Sequence, residues 1–172
     1  MSRLLVANII SFVGALFLCL SCIAKTKRRV ATYQFIQCGL LVFAQLAFGK
    51  GSGAVSMGAA FVRNVCIATG HYGIIPMILI ASFTLIFGLR FNTYGFIGLM
   101  PVAIGIFYTV ALYFSKGIKG TKIALSVLLL VWVIYSLLIL DFFGVVSNAL
   151  AFTLNLLTLK NITKEKTKRP LQ

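Results

Sequence analysis

The sequence predicts an all-α integral membrane protein, with seven transmembrane helices arranged as two parallel three-helix bundles joined by an inverting linker helix. Three observations carry this expectation. Of the 172 residues 60% are hydrophobic and the mean hydropathy is +1.05, well above the roughly half-apolar composition of a soluble domain. The apolar residues fall into seven runs near the roughly 20 residues that span a bilayer as a helix. An offset of 91 residues lays the first part of the chain on the last.

The runs occupy 4–24, 30–48, 54–68, 74–89, 96–114, 123–139 and 145–159. The first resembles a signal peptide in length, but its charge cluster follows the apolar stretch and no small-x-small cleavage pattern stands out, so it reads as a retained helix. Cys19 and Cys22 within it, like Cys38 and Cys66, sit among apolar residues with no His or carboxylate close in sequence. They read as small packing residues rather than a metal or redox site, although Cys19 and Cys22 have CxxC spacing. The second run carries Gln34, Gln37, Cys38, Leu41 and Gln45 at helical spacing, a lane of amides that suits either a hydrated path or a helix interface. The third, short like the seventh, holds Arg63 and Asn64 side by side. Pro76 and Pro101 stand at the starts of the fourth and fifth, where proline is tolerated. The sixth contains Trp132, Tyr135 and Ser136, and the seventh contains Ser147 and Asn155.

A net charge of +14 would suggest nucleic acid in a soluble chain. Here the basic residues cluster between apolar runs, so no nucleic-acid partner is expected and the clusters act as topology signals. With seven spans, Lys25, Lys27, Arg28, Arg29, Lys116, Lys119, Lys122, Lys160, Lys164, Lys166, Lys168 and Arg169 share one side, against Arg3, Lys50 and Arg90 on the other. Dropping the third span and counting Arg63 as a loop charge weakens that bias from 12 against 3 to 11 against 5. The positive-inside rule then places the N-terminus outside and the C-terminus in the cytoplasm. The tail, 160–172, is polar, basic and without periodicity. It reads as a disordered segment on anionic lipid headgroups, or as a topology anchor with no specific partner.

At the 91-residue offset, "GAVSMGAAFVRN" (53–64) aligns with "GVVSNALAFTLN" (144–155), Gly14 with Gly105 and Lys25 with Lys116. The chain therefore divides into a first repeat (1–70), a linker helix (71–94), a second repeat (95–159) and the tail. Four crossings separate the first helices of the two repeats, so the copies share one orientation and an axis along the membrane normal. Parallel repeats of this kind occur in transporters, with the solute held near the midplane between the copies.

Ser56, Ala60 and Asn64 lie at i, i+4 and i+8, and Ser147, Ala151 and Asn155 repeat the pattern. The small residues allow close helix approach, and each amide must find a hydrogen-bond partner or a wet cavity. Helix glue and pocket lining both fit. Arg63 has no counterpart, since Leu154 aligns with it. A guanidinium at a helix centre costs about 2.5–3.5 kcal/mol on insertion scales. It either faces a cavity or caps carbonyls, where it attracts an anionic group, or snorkels about five residues, roughly 8 Å, to the cytoplasmic surface. Trp132 aligns with Leu41 and Ser136 with Gln45; the indole reads as a stacking wall, a packing residue or an interfacial anchor.

The only acids are Asp141 and Glu165, outside the spans, and the only histidine is His71, between the third and fourth. Carboxylate-based proton or sodium coupling is therefore not expected. No Ser-His-Asp, Cys-His or HExxH arrangement and no phosphate-cradling loop is present. The chain reads as a non-enzyme with no cofactor.

Taken with "KTKRRVATYQ", "LAFGKGSGAVS", "AAFVRN", "GLMPVAIG" and "VWVIYSLLILDFFGVVSNALAFTLNLL", the chain resembles the YgjV-type bacterial inner-membrane proteins, which implies an inner-membrane location. Its 3+1+3 organisation is also similar to that of the SWEET sugar facilitators. That resemblance implies that Asn64, Asn155 and Trp132 help line a pocket. SWEET units carry prolines within their first two helices, whereas only Pro101 lies in comparable territory here, and Arg63 is foreign to a neutral-sugar pocket.

The expectation is a facilitator that moves a small polar solute by alternating access between two bundles. Asn64, Asn155, Trp132, Arg63, Gln45 and Ser136 would form its site. The rival is a non-transporting inner-membrane structural or interaction protein. Membrane lipids are expected partners, and the sequence leaves room for a homo-oligomer.

Overall fold

In the bilayer core no water is available to backbone N–H and C=O groups, so an apolar chain satisfies them internally as helices. The computed structural model describes residues 3–47, 51–92, 95–138 and 142–167. Among these it contains seven α-helices and no strand: α1 (Arg3–Ile23), α2 (Lys27–Ala47), α3 (Gly51–Thr69), α4 (Ile74–Arg90), α5 (Leu99–Phe114), α6 (Ile118–Leu138) and α7 (Phe142–Thr167). Four of them, α1, α2, α6 and α7, are long and apolar enough to cross a membrane on their own. Helices α4 and α5 are apolar but shorter, at 17 and 16 residues.

Local chemistry fixes the helix ends. Thr26 accepts the backbone N–H of Arg29 on its hydroxyl, 3.3 Å away, and so caps the start of α2. Gly70 adopts φ +84 directly after α3, a left-handed conformation that glycine takes without cost and that closes the helix. Pro76 and Pro101 each sit third in their helix, where the missing N–H has no intrahelical partner to lose.

Several ends differ from the sequence expectation, three of them informatively. Helix α2 begins at Lys27 rather than at residue 30, and α6 at Ile118 rather than at 123, because Lys27 and Lys122 find carbonyl acceptors inside the protein. The segment expected to be a disordered tail is helical through Thr167. Ile162, only 6% exposed, anchors that extension, and the Lys- and Glu-rich composition favours continued helix. Lys50, Asp141, Lys168 and Arg169, assigned above to loops and tail, lie outside the described residues.

Helix α2 packs between α1 and α3, α6 packs on α5 and α7, and α4 touches α3 and α5. Further contacts join α1 to α7 and α3 to α5. One core cluster, including Leu18, Cys22, Val30, Leu112, Leu125 and Ala151, lies where α1, α2, α5, α6 and α7 meet. The outward face is strongly apolar. On α4 alone Ile75, Ile78, Leu79, Leu85 and Ile86 are exposed, a pattern that a soluble surface would not carry and a lipid-facing surface requires.

Candidate functional site

A cavity of about 420 Å³ opens among α1, α2, α3, α5, α6 and α7. It runs from exposed Asn8 and Phe143 at one end to fully buried Tyr108 at the other. Helical periodicity explains the polar lining of α2: Gln34, Gln37, Cys38, Leu41 and Gln45 recur on one side of the helix, and all five line the cavity.

The deep end is built around Arg63. The side chain is 4% exposed, its Nη1 donates to the Thr109 hydroxyl at 3.2 Å, and its guanidinium carbon lies 4.7 Å from the centre of the Tyr108 ring. Tyr108, 0% exposed, donates to Gln34 Oε1 at 3.2 Å. Beside it Tyr72, in the turn after α3, donates to the Thr109 carbonyl at 2.6 Å. Burial, only partly offset by the nearby Arg63 charge, pushes the Tyr72 phenol up to about 12, so it remains a donor at neutral pH. Arg63 therefore points inward and does not snorkel. Among the described residues it reaches no backbone carbonyl, and none of those lining the cavity is acidic.

Three buried polar atoms on the cavity wall of α3 have no hydrogen-bond partner: Ser56 Oγ, Arg63 Nε and Asn64 Oδ1. Such atoms are costly when left unmet, and a ligand or water is the usual remedy. Asn64 uses its amide nitrogen on Cys38 Sγ at 3.7 Å.

Of the six residues singled out from the sequence, Arg63, Asn64, Gln45, Trp132 and Ser136 line this one cavity. Asn155 does not. It is 0% exposed and turns toward α6, donating to the Lys122 carbonyl at 2.8 Å and to Ser126 Oγ at 2.9 Å. The repeat arithmetic that pairs it with Asn64 holds in sequence but not in surroundings, because Ser126, whose hydroxyl it reaches, aligns with Phe35. Trp132 stands edge-on to Tyr135 with centroids 5.4 Å apart.

Sequence reasoning missed Tyr108, Asn8, Ser11 and Asn148. The two asparagines and the serine were visible as polar residues in apolar runs. Nothing in the sequence marked Tyr108, which aligns with Phe17.

Beyond Tyr108 the cavity ends. The apolar cluster fills the space, and two lysines cross it in opposite senses. Lys27 Nζ donates to the carbonyls of Leu112 at 2.7 Å and Ser115 at 3.1 Å, at the end of α5. Lys122, 0% exposed, donates to the carbonyls of Ser21 at 3.0 Å and Cys22, at the end of α1. Ser21 and Leu112 are 91 residues apart, the repeat offset. Each cation meets the negative end of a helix dipole and satisfies carbonyls that the helix itself leaves unpaired.

The family model Imp-YgjV, described as bacterial inner membrane protein, matches residues 5–166. The chain belongs to this family. Family membership and the apolar helices together make it a multi-pass protein of the bacterial inner membrane. Comparison with curated proteins and with solved structures finds no match.

Proposed function

We propose that this inner-membrane protein is a facilitator that carries a small polar solute through the cavity by alternating access. The observation that supports the reading most is a cavity of about 420 Å³ with polar walls from α1–α3 and from α5–α7, blocked at one end. That volume falls within the roughly 300–1,000 Å³ of small-molecule sites. Among the described residues, three of the four buried polar atoms without a partner lie on the cavity wall, Asn155 Oδ1 being the exception, and each costs stability until a ligand or water meets it.

In this reading the helices before and after α4 act as two units that rock against each other. The solute enters from the end marked by Asn8 and Phe143 and rests on Gln45, Ser136 and Trp132 above Arg63 and Asn64. It leaves when the apolar layer and the two lysine contacts part. In this reading the positive-inside rule, applied to the basic clusters, puts the blocked end, with the α1–α2 and α5–α6 turns, toward the cytoplasm and the N-terminus outside. On the same reading the protein moves the solute without catalysing a reaction on it. The basic end of α7 rests on anionic lipid. Asn155 contributes by fixing α7 on α6.

Labelling tests whether the cavity is wet. In a cysteine-free background, Ser136→Cys is expected to react with a membrane-impermeant maleimide added outside. Absence of reaction with the protein folded would favour a dry interface and the non-transporting reading.

A further inference from the structure

The charge balance of the cavity narrows the solute. Among the described residues its lining holds one cationic side chain, Arg63, and no acid. Arg63 is 4% exposed, its guanidinium is met among the described residues by the Thr109 hydroxyl and the Tyr108 ring, and its Nε is unpartnered. A buried charge of this kind is costly until an opposite charge joins it. One positive charge is neutralised by one negative charge, so a dianion would leave excess charge in a low-dielectric site, as would a cation.

The neighbouring atoms add a second requirement. Ser56 Oγ can donate and Asn64 Oδ1 can only accept, and neither has a partner. Ser56 and Asn64 lie on the cavity side of α3, two helical turns apart, with Arg63 adjacent to the second. Asn64 Oδ1 thus calls for a ligand donor close to the anion. An ammonium would supply it but would cancel the ligand's charge and leave Arg63 unmatched. A hydroxyl supplies it without charge.

We propose that the cavity binds a small hydroxylated monocarboxylate, its carboxylate on Arg63, the hydroxyl beside the carboxylate on Asn64 and, in a longer polyhydroxylated chain, a further hydroxyl on Ser56. The inference rests on the reading of the cavity as a solute site. Arginine suits the task because its planar fork matches a carboxylate and its charge persists when buried.

The test is thermal unfolding of the full chain, purified in detergent at constant sodium concentration, against probes of similar size and different charge. Lactate and gluconate are the hydroxylated monoanions, propionate the anion without a hydroxyl, lactamide and glucose the neutral probes, alanine the zwitterion and malate the dianion. A ligand of the folded state raises Tm by linkage. Lactate or gluconate is expected to give a saturable upward shift that exceeds the shift with every other probe. The shift should vanish in Arg63→Gln and persist in part in Arg63→Lys. If Arg63→Gln does not fold, Ser56→Ala serves, with a weakened gluconate shift expected.

Equal stabilisation by lactamide, alanine or glucose, or an undiminished shift in Arg63→Gln, would overturn the monocarboxylate and leave a solute site standing. Silence from every anion would also overturn it. Silence from all probes together with an unreactive Cys at 136 would remove the transport reading as well.

Discussion

Lys122 is fully buried on a helix whose outer side faces lipid, and its ammonium is spent on two carbonyls at the end of α1. Its own carbonyl in turn receives the Asn155 amide, so one residue ties α1, α6 and α7 together. Hydrogen bonds from charged groups contribute about 1.5–3 kcal/mol each, and part of that is offset by the cost of burying the charge. Lys122→Met is therefore expected to lower stability by about 1–3 kcal/mol in denaturant titration of the detergent-solubilised protein. Lys119→Met, at an exposed site three residues earlier, should fall within about 0.5 kcal/mol of wild type. Equal behaviour of the two variants would mean that the buried contact contributes nothing. The same scale explains why Arg63 is tolerated: Tyr108, Thr109 and the cavity share the task that a carboxylate performs elsewhere.

Among the elements, α4 and α5 meet where glycine is indispensable. A Cβ built on Gly88 would lie 2.6 Å from Val102 Cγ2, whereas one on Gly58 would meet nothing within 4 Å. Gly88→Ala should thus destabilise by about 1–3 kcal/mol through overpacking, and Gly58→Ala should be neutral or stabilising by up to about 1 kcal/mol through helix propensity. Thermal unfolding of both variants reads the contrast. All seven helices were legible in the sequence because each apolar run is long and punctuated by Gly, Pro or clustered charge. Their ends were less so: "GIKGTK" before α6 looks like a loop until Lys122 is seen to reach α1. The lane from Gln34 to Gln45 could be read as one face because periodicity fixes which residues share a side. Which way a face turns depends on packing against other helices, and that information is not local. Tyr108 stayed hidden for this reason, and Asn155, placed in the pocket by analogy with Asn64, turns to α6 because only there does Ser126 offer a partner.

For the whole molecule, the two lysine contacts give the repeat a physical meaning. Ser21 and Leu112, equivalent in the 91-residue offset, each accept from a lysine of the other half of the sequence, so on the proposed reading both contacts would break for the blocked end to open. Each combines a charge with a helix terminus, an interaction strong enough to hold one state and weak enough to be exchanged. Release would connect the cavity to the basic surface, and engagement seals it with Leu125, Leu112 and their neighbours. The central claim is that this end opens and closes. Spin labels at Arg28→Cys and Lys119→Cys, exposed positions also 91 residues apart, would report it by pulsed electron resonance in a background without the four native cysteines. The account predicts two distance populations in lipid nanodiscs, with the longer one enriched when Lys27→Met removes one contact. A single narrow distance, the same with and without Lys27, would contradict it.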